Sequence, residues 1–185
     1  MSTTRNRDKQ EQISRYESEL SGLYEEYYDR IARYAFVHIG EKNDAEDIAG
    51  EVFLKALKSL DSYQERGVPM QAWLFKIAHN MVVDYLRKKS NFKTQEIEAD
   101  VLPVEEDPVK ITENKMEMEN VQQAMQKLSL DQRQIISLRF MGGLASKEVA
   151  VVMNKTDGAV REMQRAAIEK LRLILVVEGP SSERG

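Results

Sequence analysis

A stretch near the middle of the chain, PMQAWLFKIAHNMVVDYLRKK, carries side chains that could bind a nucleic acid. The cations of Lys76, Arg87 and Lys88 could meet phosphates. The ring of His79 and the amide of Asn80 could meet unstacked bases, and stacking is worth about 1–3 kcal/mol per base. A solvated helix face would also be polar here, so a nucleic acid is one candidate ligand among others.

Two further aromatic residues accompany this stretch. Trp73 falls on the apolar face of the predicted helix, so its periodicity favours a place in the core. Tyr63 lies in the polar segment before the helix and is not required by any apolar stripe. Tyr63 is therefore the better candidate for contact with a base.

A second set of binding residues lies near the C-terminus. Arg161, Glu162 and Arg165 fall on the exposed side of the last predicted helix, and Lys155 precedes them in a turn. Thr156 fits the N-cap position, where free backbone amides can also meet a phosphate. Arginine can bind guanine edges or anchor phosphate, but a solvated helix face would contain the same residues.

A third candidate surface is acidic. Asp44, Asp47 and Glu51 lie near the start of the second predicted helix. Carboxylates in a first turn complement the helix dipole, which accounts for Asp44 and Asp47. Glu51 lies beyond that turn and one helical turn from Asp47, so these two predict an acidic ridge available to a basic partner.

Composition argues against most other functions. The 185 residues include no cysteine, so disulfides and thiolate sites are excluded. We find no glycine-rich phosphate loop, no nucleophile elbow and no metal-ligand spacing around His38 or His79, so we expect no catalytic residues, no metal site and no cofactor. The chain lacks a signal peptide and a long apolar run, which predicts a cytoplasmic protein without membrane insertion. A net charge of −4 implies that any DNA contact is local or is delivered by a larger partner.

The periodicity that positions these residues is helical throughout, so the predicted fold class is all-α with two small domains. Residues 1–15 are predicted to be a flexible tail, and residues 16–89 a three-helix domain. The first of its helices is expected to run from about Tyr16 to His38, and the third from Pro69 to Lys89. The second is expected to begin at a cap formed by Asn43 or Asp44, with Leu57 on its inward face. A polar loop containing Gly67 joins the second and third helices.

Residues 90–113 are acidic and contain two prolines, which predicts an extended linker. Residues 114–177 are predicted to be a second helical domain, and residues 178–185 a tail. Ser129 and Gln132 predict a capping box that opens one helix of this domain. A short helix over 144–153, a turn at 154–156 and a longer helix from Asp157 then follow, which is the helix-turn-helix arrangement.

Three segments occur in a fixed order: DAEDIAGEVFLKAL, then AWLFKIAHNMVVDYLRKK, then LSLDQRQIISLRF with LASKEVAVVMNKTDGAVREMQRAAIEKLR. Together they resemble bacterial RNA polymerase sigma factors of the extracytoplasmic-function group. The resemblance implies that the first domain is region two, which binds the clamp helices of the polymerase largest subunit and captures the −10 promoter element as a single strand. The second domain would be region four, which binds the −35 element as duplex and the flap of the second-largest subunit.

The resemblance also implies roles for individual residues. Asp47 and Glu51 would face the polymerase clamp, with Asp44 in support. The residues expected at the −10 strand are Ser62, Tyr63, Gln64, Lys76, His79, Asn80, Arg87 and Lys88. Those expected at the −35 duplex are Lys155, Thr156, Arg161, Glu162 and Arg165. The other implied partner is an anti-sigma factor.

The sequence departs from the family pattern at several positions. Gly50 stands where the family's region-two motif usually carries glutamine, and Ala145 stands at the usual cap serine, whose place Ser146 could take one position later. Met163 and Ile168 stand at positions that are usually basic, so they could serve a protein partner instead of DNA.

Three functions follow from these observations. The first is a sigma factor that binds core polymerase, recognises the −35 and −10 elements and assists promoter melting. The alternative is a stand-alone helix-turn-helix regulator that binds duplex DNA by itself. A third is an all-helical adaptor without a role on DNA.

Overall fold

The N-terminal helices form because their apolar residues recur at helical spacing and bury one face each. The computed structural model describes residues 2–64, 67–96 and 121–178, and no strand occurs within these ranges. Helices α1 (Ser2–Ile39), α2 (Lys42–Lys58) and α3 (Met70–Glu96) pack against one another, with a short 3-10 turn (Leu60–Ser62) after α2. The all-α prediction is confirmed.

The ends of these helices differ from the predicted ones in four places. Helix α1 begins at Ser2, so the predicted tail is helical from there, although burial starts only at Tyr16. Helix α2 begins at Lys42 after Glu41, and neither Asn43 nor Asp44 caps it. The carbonyl of Pro69 accepts the first bonds of α3, so Pro69 precedes that helix. Helix α3 continues to Glu96, seven residues into the predicted linker, whose remainder lies outside the described residues.

The C-terminal part of the chain also consists of packed helices. Residues 121–126 form α4, and α5 (Leu130–Phe140), α6 (Ser146–Met153) and α7 (Asp157–Glu178) follow. The predicted capping box is present, because the Gln132 amide donates to Ser129 Oγ at 3.3 Å and the Ser129 amide donates to Gln132 Oε1 at 3.2 Å. A capping box therefore stabilises the N-terminus of α5, the helix that precedes the helix-turn-helix of α6 and α7.

The turn between α6 and α7 follows from two residues. Asn154 adopts a left-handed conformation with φ of 53°, which asparagine tolerates and which ends α6. Thr156 Oγ1 accepts a bond from the Ala159 amide at 3.2 Å, as predicted for an N-cap. The expected substitution of Ser146 for the missing cap serine is wrong, because Ala145 occupies the N-cap and Ser146 donates to Asp157 Oδ1 at 2.6 Å.

The two helical units share a packed interface. Helix α3 lies against α6, and α1 lies against α5. Val37 of α1 is fully buried in a cluster with Met125, Ile136 and Ala167 from the C-terminal helices. The position of the C-terminal unit is therefore set by apolar burial against α1 and α3.

Candidate nucleic-acid and polymerase interfaces

The acidic ridge lies on α2 and consists of Asp47 and Glu51. Both side chains are exposed, and neither takes part in an ion pair with another described residue. Asp44 has a different environment, since its carboxylate accepts a 2.5 Å hydrogen bond from the Tyr85 hydroxyl of α3. That bond, together with desolvation, raises the pKa of Tyr85 to about 12. Asp44 therefore fastens α2 to α3, and two of the three predicted carboxylates remain open to a partner.

Two exposed leucines extend the acidic ridge along α2. Leu54 is 57% exposed and Leu57 is 52% exposed, so the prediction that Leu57 faces inward is wrong. Leu54 follows Glu51 by three residues, which places the two side chains on neighbouring parts of one helix face. Exposed large apolar side chains beside charges are typical of a protein-binding surface. Sequence reasoning missed Leu54 because periodicity describes a core stripe and not its solvent-facing flank.

The loop before α3 is held by an aromatic cluster. Tyr63 is 6% exposed, although the sequence predicted an accessible ring. Its ring meets Tyr16 edge-on at 4.9 Å and packs against Trp73 at 4.9 Å, and its hydroxyl donates to the Val68 carbonyl at 3.1 Å. Ser62 and Gln64 on either side are exposed. The described loop residues therefore offer polar side chains outward, while Tyr63 anchors the loop.

The α3 polar face comprises Lys76, His79, Asn80, Arg87 and Lys88. Asn80, Arg87 and Lys88 are exposed, and Arg87 pairs with Asp84 at 3.0 Å. Lys76 is half-buried, and its ammonium group donates to the Val152 carbonyl of α6 at 2.5 Å. The face is therefore open at its C-terminal end and covered by α6 at its N-terminal end.

His79 lies near Lys76 and is also half-buried. Its Nδ1 is 3.3 Å from the hydroxyl of Tyr34, which is fully buried. Burial lowers the pKa of His79, and the nearby Lys76 ammonium lowers it further. A neutral, half-buried imidazole is suited to packing and hydrogen bonding, and it adds no positive charge to the face.

His38 occupies the interface between the two units. It is 3% exposed, its Nδ1 donates to the Tyr34 carbonyl at 3.0 Å, and its Nε2 has no hydrogen-bond partner among the described residues. Burial lowers the pKa of His38 to about 3, with smaller contributions from Arg133 and His79. The described packing therefore requires His38 to be neutral.

The third surface is a cavity of about 520 Å³ on the helix-turn-helix, which we call the arginine groove. It is formed by α5, the start of α6 and one side of α7. Its lining residues are Arg139, Ser146, Arg161, Gln164, Arg165, Ile168, Glu169 and Arg172. Four cations and one carboxylate give it the chemistry of a phosphate-binding surface.

Hydrogen bonds fix the cations of the arginine groove in place. Arg139 donates to Gln164 Oε1 at 3.0 Å and also to the Leu144 carbonyl. Arg161 pairs with Asp157 at 2.9 Å, and Arg165 pairs with Glu169 at 3.2 Å. Three of the four guanidinium groups therefore have partners before any ligand arrives, which lowers the entropy that they lose on binding.

The remaining predicted residues of this surface divide into two kinds. Glu162 is exposed, whereas Lys155 pairs with Asp131 of α5 at 2.9 Å. Met163 and Ile168 are partly buried and pack against the core, and Ile168 also lines the arginine groove, so their role toward a protein partner stays a prediction. The sequence analysis gave Arg139 no binding role, because α5 had to be placed against α7 before Arg139 and Arg165 could share a cavity.

Within the described ranges, no group of three or more histidine, aspartate or glutamate side chains could hold a metal ion. None of the helices in the part of the chain described is both long enough and apolar enough to span a membrane.

Two family models match the chain in the order of its two helical units. Sigma-70 region 2 matches residues 23–92, which contain the acidic ridge and the α3 polar face. Sigma-70, region 4 matches residues 124–173, which contain the arginine groove. The segment of α1 before residue 23 lies outside both matches.

Two relatives with similar sequences are both described as ECF RNA polymerase sigma factors. The ECF RNA polymerase sigma factor BldN of Streptomyces coelicolor is 33% identical over 156 residues, covering 83% of this chain and 59% of BldN. The ECF RNA polymerase sigma factor SigX of Bacillus subtilis is 26% identical over 156 residues, covering 81% of this chain and 80% of SigX. The chain therefore spans less than two thirds of the length of BldN but most of the length of SigX.

Solved structures share the fold. CnrH in complex with the cytosolic domain of CnrY matches with a TM-score of 0.69 and 21% identity, over 92% of this chain and 96% of CnrH. The sigma factor RpoE in complex with the anti-sigma factor NepR from Bartonella quintana matches with a TM-score of 0.69 and 20% identity, over 86% of this chain and 98% of RpoE. At these identities the likeness supports the arrangement of the helices.

Proposed function

The chain belongs to the sigma-70 family of bacterial RNA polymerase sigma factors, in its extracytoplasmic-function group, and we propose that it directs core RNA polymerase to promoters and assists their melting. The observation that carries this proposal is the ordered occurrence of region 2 and region 4 in one chain, the second of them bearing the arginine groove. In this role the protein supplies recognition, and polymerase supplies catalysis.

The acidic ridge is the proposed attachment point for polymerase. Asp47 and Glu51 are exposed and unpaired among the described residues, and Leu54 adds apolar surface beside them. A basic surface on the clamp helices of the largest subunit would complement this combination. Asp44 acts indirectly in this proposal, by holding α2 against α3 through Tyr85.

The arginine groove is the proposed site for the −35 duplex. A helix of about 10–12 Å diameter fits a major groove about 12 Å wide, so α7 can enter with Arg161 and Glu162 toward the bases. Arg139, Arg165 and Arg172 would then meet phosphates. Arg139 of α5 adds a fourth cation to the three that α7 supplies. The same unit is proposed to bind the flap of the second-largest subunit.

The loop at residues 62–68 and the α3 polar face are proposed to hold the separated −10 strand. Ser62, Gln64 and Asn80 are exposed and can hydrogen-bond to base edges, while Arg87 and Lys88 can hold the backbone. In the described packing Lys76 is bonded to α6, and His79 is half-buried beside Tyr34 of α1. We infer that the two units separate before the strand is captured, since the Lys76 ammonium is half-buried and donates its hydrogen bond to the Val152 carbonyl while the units are packed.

A protein inhibitor of the anti-sigma type is the remaining proposed partner. Support comes from the two structural relatives, which were solved with CnrY and with the anti-sigma factor NepR. An inhibitor that favours the packed arrangement would keep Lys76 and His79 away from DNA without touching them.

Reconstituted transcription tests the main proposal. Promoters are first identified by sequencing the 5′ ends of transcripts made when the protein is overproduced. Initiation from these promoters should then require both the protein and bacterial core polymerase. If none of these templates supports promoter-dependent initiation, the proposal is overturned.

A mobility-shift experiment separates the sigma factor from a stand-alone regulator. The isolated protein has a net charge of −4, so it should bind promoter duplex weakly at physiological salt until polymerase is added. Tight, sequence-specific binding by the protein alone would favour the regulator.

A further inference from the structure

We propose that Tyr16 is a positioning residue for capture of the −10 strand, so that the part of α1 ahead of the region 2 match contributes to promoter opening. The inference rests on the proposed function, because it names the residue that supports the proposed −10 loop from behind. The family match begins at residue 23, and Tyr16 precedes it by about two helical turns.

Three aromatic rings connect α1 to α3 through the loop. The Tyr16 ring meets the Tyr63 ring edge-on, with centroids 4.9 Å apart and an interplanar angle of 78°. The Tyr63 ring packs against Trp73 at 4.9 Å with an angle of 40°. We call Tyr16, Tyr63 and Trp73 the aromatic brace. Of these three residues only Tyr63 belongs to the loop, so its position is determined by α1 through Tyr16 and by α3 through Trp73.

The hydroxyl of Tyr63 carries this constraint across the loop. It donates to the carbonyl of Val68 at 3.1 Å, so one side chain joins the start of the loop to its end. Ser62 Oγ donates to the Ser59 carbonyl at 2.6 Å and fixes the residue before Tyr63. A shift of the Tyr63 ring would therefore move both ends of the segment that presents Ser62 and Gln64.

Tyr16 is itself held firmly on α1. It is 3% exposed, its hydroxyl oxygen accepts a bond from Gln12 Nε2 at 3.0 Å, and the guanidinium of Arg15 lies 5.2 Å from its ring centroid. Leu20, one turn later, is also buried, whereas residues 7–12 are exposed. The part of α1 ahead of residue 23 thus contributes two buried residues, of which Tyr16 is the one whose ring meets the loop residue Tyr63.

The brace can affect recognition without touching DNA. A buried Tyr16 cannot stack on a base, but it lowers the number of positions that Tyr63 and the loop can adopt. An edge-to-face pair is worth enough to change a rate or an equilibrium about 2- to 10-fold. Loss of the Tyr16 ring should therefore reduce productive capture by that factor, because the exposed loop residues would be less well placed for the flipped base.

The test uses the full-length protein in reconstituted holoenzyme. Tyr16→Leu removes the ring but keeps an apolar side chain, and Tyr16→Phe removes only the bond from Gln12. Tyr24→Leu is the matched control, because Tyr24 is on the same helix but packs against Tyr28 and Phe53 instead of the loop. Permanganate reactivity of −10 thymines measures opening with polymerase saturated by each variant, below the temperature at which any of them unfolds.

Two further readouts separate positioning from a general loss of stability. Trp73 is the only tryptophan in the chain, so its emission reports directly on the aromatic brace. The ratio of opening rates on the natural −10 element and on one with a substituted flipped base reports on recognition. A variant that is merely less stable would lower both rates equally and leave the ratio unchanged.

We expect Tyr16→Leu to change Trp73 emission, to slow opening about 2- to 10-fold and to lower the base preference, while Tyr16→Phe and Tyr24→Leu stay within about twofold of the original protein. Normal opening and base preference in Tyr16→Leu despite altered Trp73 emission would overturn the inference alone. Failure of the unsubstituted holoenzyme to open any promoter would overturn the proposed function, and the inference would fall with it.

Discussion

The two surfaces proposed for promoter DNA are built in different ways. The arginine groove draws four cations from two helices and holds most of them in hydrogen bonds or ion pairs before a ligand is present. The α3 polar face has fewer free cations, because Lys76 is bonded to α6 and the pKa of His79 is lowered. A preformed groove suits a rigid duplex, whereas a covered face and a braced loop suit a strand that must first be separated.

The largest effect is expected at the acidic ridge, because both DNA-binding surfaces depend on its attachment to core polymerase. Asp47→Arg combined with Glu51→Arg should weaken core polymerase binding about 100-fold or more, since like charges facing each other cost several kcal/mol. Both promoter elements should then go unrecognised together. Glu46→Arg is the control, because Glu46 is exposed on the same helix and pairs with Lys42. Polymerase affinity measured by fluorescence anisotropy that is unchanged in the double variant would refute the assignment of the acidic ridge.

Removing a cation from the arginine groove should affect duplex binding alone. Arg165→Ala should weaken holoenzyme binding to a −35 duplex about 10-fold and lower the slope of log affinity against log salt by about one, if Arg165 meets a phosphate. Transcription from a template whose −10 region is already single-stranded should be unaffected. Lys170→Ala is the matched control, since Lys170 is exposed on α7 outside the groove. Equal losses in the two variants would mean that the groove has no special role.

Lys76 should couple the α3 polar face to the helix-turn-helix unit, through its bond to α6. Lys76→Met removes the bond to the Val152 carbonyl, and a hydrogen bond from a charged donor to a partly buried acceptor is worth about 1.5 kcal/mol. Hydrogen exchange of α6 amides in the free protein should therefore rise about 10-fold, while opening of a −10 element should fall. Lys88→Met, on the exposed end of α3, should leave α6 unchanged. An unaltered α6 exchange pattern in Lys76→Met would show that this bond does not hold the units together.

The packing between the units should weaken in acid. The pKa of His38 is lowered to about 3 from an ordinary value near 6.5, so its contribution is present above pH 6.5 and is lost as the pH falls below it. Between pH 6.5 and 5.5 the packed state should lose about 1 kcal/mol. His79, whose pKa is also lowered, adds in the same direction. His38 faces Arg133 and Tyr34, whereas His79 faces Tyr34, the Lys76 ammonium and the Asp131 carboxylate, which opposes the lowering. Fluorescence transfer between labels on the two units would follow the separation.

A His38→Leu variant is the control for this pH profile. Leucine cannot be protonated, so the dependence of unit separation on pH between 6.5 and 5.5 should become much flatter, with the remainder due to His79. A profile that is equally steep in His38→Leu would assign the effect to other groups.

The smallest expected effect lies in α2, away from both DNA surfaces. A Cβ added at Gly50 would meet no atom within 4 Å, so Gly50→Ala should stabilise the helix by about 0.5–1 kcal/mol. Thermal unfolding should show a rise of a few degrees. Gly142→Ala is the opposing control, since its Cβ would lie 2.6 Å from the Leu138 carbonyl oxygen, and it should destabilise the protein. A gain with unchanged promoter binding would confirm that Gly50 serves neither surface.

Features that depend on neighbouring residues were predicted well. The capping box at Ser129, the cap at Thr156 and the turn at Asn154 each depend on atoms within about four positions, which periodicity and residue type describe directly. The same holds for the acidic ridge, whose two carboxylates lie one turn apart on one helix. The family resemblance added the order of the two units.

Features that depend on distant partners were not predictable. Asp44 was expected as a possible cap and a polymerase contact, but Tyr85, 41 positions later, takes its carboxylate. Tyr63 was expected to be accessible, but Tyr16 and Trp73 enclose it from two helices. In each case the residue type allowed two roles, and the packing of a remote helix selected one.

The amino-acid sequence by itself determined the helices, their caps and the polar residues available on each, because these depend on local hydrogen bonds and on the 3.6-residue repeat. Only the tertiary structure decided which of those polar residues face outward. It joined Arg139 to Arg165 in one groove, bonded Lys76 to α6, placed His79 beside Tyr34, and put Tyr16 behind the loop. The physical reason is that burial of apolar surface fixes how whole helices lie against one another, and polar side chains must accept the partners that this packing brings.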